Sequence, residues 1–293
     1  MPVQGKIYYS KHNLLIFTLL LLTANIFLLT LEIKNYNRGL TFAMLDIGQG
    51  DALFIESPTG TQLLVDGGPP RKILGKLRRM MSPFDRTIDA IIITNPDQDH
   101  IGGLLEVLEK FEVRVIFASG TYKDSKTYQN LEIEIKNKSI PYILARKGMR
   151  LNMGGGAAVD ILFPDRDVSF WSPNDGSIVS RLSYGDTTIM LTGDATSLTE
   201  EMILKNNLTE RLQSDILKVG HHGSRTSTSN AFTAGVAPAY ALISDGKENK
   251  YGHPHPDVLD TLSSFGAKIF RTDLLGTIIM KSDGKNEVFS FIK

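Results

Sequence analysis

Residues 93–103 read Ile-Thr-Asn-Pro-Asp-Gln-Asp-His-Ile-Gly-Gly (ITNPDQDHIGG). Two carboxylates, Asp97 and Asp99, and one imidazole, His100, share this short loop. Upstream, Ile88–Thr94 (IDAIIIT) is a nearly continuous apolar run, the pattern of a strand covered on both faces. Downstream, residues 101–111 carry helical spacing. A strand, a loop of oxygen and imidazole donors, and a helix form a metal-binding turn in outline. The residue that opens the cluster is Asn95, whose neutral amide is a weak ligand. The stretch therefore poses a choice between a working site of unusual composition and a scaffold that has lost one.

Other loops at strand ends repeat the pattern. They are Asp46-Ile47-Gly48-Gln49-Gly50-Asp51, Asp66-Gly67-Gly68 after QLLVD, Thr192-Gly193-Asp194, His221-His222-Gly223-Ser224 and Tyr251-Gly252-His253-Pro254-His255-Pro256. Each alone reads as a turn cap, a tight turn or surface histidines. The intervening segments predict strands at 41–47, 52–56, 62–66, 88–94, 113–117, 141–151, 157–163, 178–183, 187–191, 215–219 and 239–243, with paired strands over 268–291. Helices are expected at 70–81, 101–111, 124–138, 197–206, 228–235 and 256–265. Two strand-rich halves with interspersed helices predict an α+β fold, two sheets face to face with helices outside.

Taken in order, strand-Asp-Gly-Gly, Asp97-Gln98-Asp99-His100-Ile101-Gly102-Gly103, Leu191-Thr192-Gly193-Asp194 and Leu217-Lys218-Val219-Gly220-His221-His222-Gly223-Ser224 resemble the metallo-β-lactamase superfamily. Within it, these stretches, with Asp46–Asp51 and Tyr251–Pro256, are most similar to the hydrolase domain of the ComEC competence-protein family. The resemblance runs from about residue 40 to 293. It implies an αββα sandwich with a metal site at one edge of the sheets. It also implies roles: Asp99 and His100 as ligands of a second metal, Asp194 as the carboxylate bridging two metals, and His221, with His222 as the alternative, as the last ligand of that second site. Asp97, with Asn95 as a weak donor, would serve the first metal. Asn174 or Asp175 lies where the sandwich has a mid-chain histidine. A donor set rich in oxygen and free of sulfur suits one or two divalent ions, Mn²⁺ or Zn²⁺, with Mg²⁺ also compatible. Catalytic roles are expected for Asp99, His100, Asp194 and His253, with Ser224 and Arg225 at the substrate.

The 293 residues are 42% hydrophobic and carry no cysteine, which excludes disulfides and thiolate ligands. Leu14–Ile33 is apolar up to Glu32 and long enough for a bilayer, so residues 14–33 are expected to be a transmembrane anchor. A tail (1–13) precedes it, a linker (34–39) follows, and the hydrolase domain spans 40–293. The loop charges lean towards an extracytoplasmic domain. The chain as a whole has no net charge, and residues 1–39 hold more basic than acidic side chains, so the remainder is slightly acidic. A DNA partner must then be met by local patches and metal ions. Arg71, Lys72, Lys76 and Arg79 supply one such patch, the last three within roughly 60° on a helix. Trp171 could stack on a base or pack over the rim. The expected function is a membrane-anchored phosphodiesterase or nuclease acting on DNA, with any uptake channel a separate protein. The alternatives are a small-molecule ester or phosphodiester hydrolase of the same fold, and a non-catalytic binding scaffold.

Overall fold

A computed structural model of the chain describes residues 11–36, 39–207 and 209–293, with side chains over all of these but 28–36 and 209. Two units are compact in themselves, residues 1–38 and 39–293. The first is a helix, Lys11–Tyr36. Its described side chains end at Phe27, roughly 25 Å of helix at ~1.5 Å per residue. A hydrocarbon layer needs ~30 Å. Among the described residues no helix is long and apolar enough to cross a membrane. Residues 1–10 of the expected 1–13 tail, 37–38 of the 34–39 linker and the side chains of 28–33 in the expected 14–33 span lie outside what is described.

The second unit is built on two large sheets. Strands Glu287–Ile292, Thr277–Ser282, Leu40–Met44, Leu53–Glu56, Gln62–Val65, Ala90–Ile93, Ile116–Ala118 and Tyr142–Leu144 form the first, in that spatial order. Lys268–Arg271, Tyr240–Ile243, Ile216–Lys218, Thr187–Leu191, Val179–Tyr184, Ala157–Phe163 and Arg150–Gly154 form the second. Alternation along the strands sends one set of side chains between the sheets: Phe42, Met44, Ile55, Leu63 and Val65 meet Val159, Ile161, Leu182, Ile189 and Leu191. The opposite face of the first sheet packs Ile91 and Ile93 under helices that contribute Leu77, Leu104 and Leu131. The second sheet's outer face takes Ile203, Phe232 and Leu262 from Ser197–Asn206, Asn230–Val236 and Pro256–Ser264. The expected α+β sandwich, helix over sheet over sheet over helix, is the observed architecture.

Two differences from the sequence reading matter. The helix expected at 101–111 is split into Gln98–Ile101 and Leu104–Lys110 around Gly102-Gly103. The segment 268–291 is not one paired unit. Lys268–Arg271 runs parallel to Tyr240–Ile243 in the second sheet. After a short helix, Thr272–Leu275, the chain changes sheets, and Thr277–Ser282 pairs antiparallel with Leu40–Met44, Leu40 opposite Ser282. Strand alternation encodes which face is buried, not which sheet is joined.

Candidate metal centre

The singled-out loops leave the carboxyl ends of strands: Asp66 after Gln62–Val65, Asn95 to His100 after Ala90–Ile93, Asp194 after Thr187–Leu191, and the tandem histidines after Ile216–Lys218. Ligand sites gather at such ends in open sheets. Two glycines let the loops close on one another. A Cβ at Gly50 would lie 2.1 Å from the Asp99 carbonyl oxygen, the same oxygen that accepts the Asp51 N–H at 3.1 Å. A Cβ at Gly103 would lie 2.2 Å from the Gly67 carbonyl oxygen.

At the centre is His100, fully buried. Its Nδ1 lies 2.8 Å from Asp66 Oδ2. Asp66 is itself fixed by the Thr94 N–H at 2.8 Å and the Thr94 hydroxyl at 2.6 Å. Nε2 of His100 approaches Asp194 Oδ2 to 3.0 Å yet makes no aligned hydrogen bond. His222 repeats the device: Nδ1 meets the Ser244 carbonyl at 2.9 Å, and Nε2 stands 3.6 Å from both Asp99 Oδ2 and Asp194 Oδ1. Both Nε2 atoms and Asp194 Oδ1 are buried without a hydrogen-bond partner. Buried polar atoms are seldom left so. Donor atoms of Asp99, His100 and His222 lie within 4.8 Å of one another, as do those of Asp51, Asp194 and His222 and those of Asp51, Asp66 and His100. Backbone strain supports the arrangement: His221 and His222 take φ of 47° and 56° and Asp66 takes 59°. Each left-handed residue costs about 1–3 kcal/mol and persists where surroundings enforce it.

The electrostatics match. Burial opposes ionisation of Asp99, but the facing His222 imidazole and the charges of His100 and His222 outweigh it and bring its carboxyl to about 2. Burial likewise works against Asp194, and His100 and His222 hold it well below the usual carboxylate range. Burial would lower His100; the carboxylates of Asp194 and Asp66 raise it instead. The centre thus stabilises positive charge where the two Nε2 atoms converge. With each Nδ1 tied to an oxygen, both imidazoles can present an Nε2 lone pair. The donor set of Asp99, His100, Asp194 and His222 fits a divalent ion.

The remaining expected residues are placed as follows. His221 lies 3.8 Å from Asp194 Oδ2, but its Nδ1 is 3.0 Å from the Thr226 hydroxyl and its Nε2 is 3.5 Å from Asn174 Nδ2. His222, its Nδ1 held by the Ser244 carbonyl, thus faces both Asp99 and Asp194, whereas His221 approaches Asp194. Asn95 is fully buried; its Oδ1 accepts the Asp97 N–H at 2.9 Å. Asp97 Oδ1 is 2.6 Å from Lys123 Nζ. His253 has its ring 5.7 Å from that of His221 and stacks on Tyr251. Burial and the neighbouring imidazoles push it down to about 4, so it is neutral at neutral pH. Asp97, Asp99, Lys123, Asp194, His221, His222 and His253 line one cleft of about 270 Å³. Ser224 bonds Thr226, and Arg225 pairs with Asp257 at 3.0 Å. Lys76 pairs with Asp46 at 3.2 Å; Arg71, Lys72, Lys76 and Arg79 do not line the cleft. Trp171 packs on Phe163, ring centroids 6.0 Å apart.

Three supporting residues were not assigned roles from the sequence. Lys218 is fully buried, in ion-pair contact with Asp51 and donating to the Gly193 carbonyl at 2.8 Å. A lysine inside the apolar run Ile216–Val219 was its signal. Asp66 announced itself by the Asp-Gly-Gly turn. Lys123 carries no local signal at all.

Comparison with known proteins agrees with this geometry. The profile of the metallo-beta-lactamase superfamily matches residues 45–244. ComE operon protein 3 of Bacillus subtilis is 31% identical over 272 residues, covering 85% of this chain and 33% of that protein. Competence protein ComA of Neisseria gonorrhoeae is 26% identical, covering 80% of this chain and 31% of its own length. The chain spans about a third of the length of these relatives. Among solved structures, CmlA, a diiron beta-hydroxylase from Streptomyces venezuelae, superposes with a TM-score of 0.54 at 13% identity, covering 84% of this chain and 54% of that one. That likeness concerns the fold alone.

Proposed function

The chain belongs to the metallo-beta-lactamase superfamily, and from that membership we propose that it is a divalent-metal-dependent phosphodiesterase acting on DNA. One observation carries the reading: two buried imidazole Nε2 atoms and Asp194 Oδ1, all without a hydrogen-bond partner, converge beside the Asp99 carboxylate. Similarity to competence proteins supports DNA as the substrate. Asp99, His100, Asp194 and His222 would hold the ion, Mn²⁺ or Zn²⁺ by donor chemistry, with Mg²⁺ compatible. Such an ion supplies Lewis acidity and lowers the pKa of water. Asp66 and the Ser244 carbonyl orient the imidazoles. His253, neutral and facing the cleft, is placed to accept or relay a proton. The apolar side chains exposed between Leu14 and Phe27 support membrane association through the N-terminal helix.

The test uses the full chain in detergent with labelled single- and double-stranded DNA and Mn²⁺, Mg²⁺ or Zn²⁺ in turn, beside Asp194→Ala. Metal-dependent cleavage that the variant lacks is expected. Cleavage with no metal, or equal cleavage by the variant, would overturn the reading. A second reading, a small phosphodiester as substrate, is favoured by the modest cleft of about 270 Å³, whose lining does not include the basic stripe. Turnover of a chromogenic diester without DNA cleavage would select it.

A further inference from the structure

The Asp97 side of the cleft is built differently from the His100 side. No candidate metal-holding group among the described residues includes Asp97. Asn95, its neighbour, spends its carbonyl oxygen on the Asp97 N–H at 2.9 Å and points its amide nitrogen towards Ser177 Oγ at 3.4 Å. It is a buried structural cap, turned away from any ion. Asp97 itself is engaged: Oδ1 lies 2.6 Å from the ammonium of Lys123. Lys123 reaches it from the loop between Ile116–Ala118 and the helix Lys126–Asn137, whose start is fixed by Ser125 capping the Tyr128 N–H. Among the residues lining the cleft, Lys123 is the only lysine or arginine. Arg225, three residues after His222, is held by Asp257.

From these contacts we infer that the cleft takes one divalent ion, on the His100–His222 side, and that the Lys123 ammonium is the permanent cation on the Asp97 side, contacting the phosphoryl group of the substrate. The inference rests on the phosphodiester reading for its ligand class. Asp97 sets the position of the ammonium, leaving its other N–H donors for a phosphoryl oxygen. About 43% of the Lys123 side chain is accessible, so a ligand can reach it without displacing Asp97. An ammonium differs from a second metal in kind: it donates hydrogen bonds and neutralises one charge, and it contributes no ligand-exchange site for water.

The experiment counts ions and measures phosphate binding, so it does not depend on turnover. Full-length protein in detergent is titrated with Mn²⁺ calorimetrically, and the stoichiometry is checked by native mass spectrometry. Inorganic phosphate is then titrated into the Mn²⁺-loaded protein. One Mn²⁺ per chain is expected for the wild type and for Lys123→Arg. Lys123→Met should weaken phosphate roughly tenfold to a hundredfold, the loss of one charge-assisted contact, while Lys123→Arg stays within about threefold of wild type. The pair Asn95→His with Lys123→Met should gain a second Mn²⁺. Two Mn²⁺ of similar affinity in the wild type, or unchanged phosphate affinity in folded Lys123→Met, would overturn the inference. If these binding results hold but DNA is never cleaved, the nuclease reading fails and the Lys123 assignment stands for another phosphoryl ligand.

Discussion

Replacing Lys218 with methionine tests the electrostatic support behind the centre. Lys218 is fully buried and contacts Asp51, which is 1% exposed. Its ammonium also donates to the Gly193 carbonyl at 2.8 Å and lies 4.0 Å from Asp194 Oδ1. Methionine keeps the stem but removes the charge. Asp51 is then left as a buried carboxylate facing His222 at 3.5 Å. Breaking a buried pair in this way costs about 3–5 kcal/mol. In a domain of this size that lowers the melting temperature by roughly 6–20 °C. Trp171, the only tryptophan, packed on Phe163, reports unfolding in urea. Adding Asp51→Asn to Lys218→Met removes the orphaned charge, so the double variant should recover about 1–3 kcal/mol of the loss. A cost below about 1 kcal/mol for Lys218→Met, or strict additivity in the double variant, would refute the reasoning, because neither fits a buried charge stripped of its partner.

Further outcomes follow from the same geometry. His222→Ala should weaken Mn²⁺ binding more than tenfold beyond His221→Ala in calorimetric titration, since only His222 Nε2 faces both Asp99 and Asp194. Asp66→Asn should lower Mn²⁺ affinity about 10–100-fold, the usual effect of losing the carboxylate that orients a ligating imidazole, with little change in the far-ultraviolet circular dichroism. Asp245 is fully buried; burial and the adjacent Asp273 push its carboxyl up to about 7 despite Arg271. The unfolded value is ~4, so the folded state binds more protons between ~4 and ~7 and loses stability as pH rises through that window. Asp245→Asn should therefore melt close to wild type near pH 4 and above it at pH 8.

Much of the molecule was legible before folding. The unbroken apolar run around Ile91–Ile93 marked a central strand, and the Asp-Gly-Gly, Thr-Gly-Asp and His-His-Gly-Ser turns marked its functional edge. These are local signals: a side-chain period of two and glycines where two loops must touch. They determined the strands, the sandwich and the family. The structure decided what depends on distant partners. His221 and His222 are adjacent and chemically identical, and the Ser244 carbonyl, 22 residues on from His222, holds the ring whose Nε2 faces both Asp99 and Asp194. The basic stripe satisfied its helical period, yet Lys76 is drawn to Asp46 of another loop. Lys123 gave no local sign, because its meaning comes from Asp97, 26 residues away. Likewise the last two strands joined the first sheet because Leu40–Met44 offered them a free edge. Sequence periodicity fixes which side of an element is apolar; only closure of the tertiary structure brings particular polar atoms within bonding distance and so decides their chemistry.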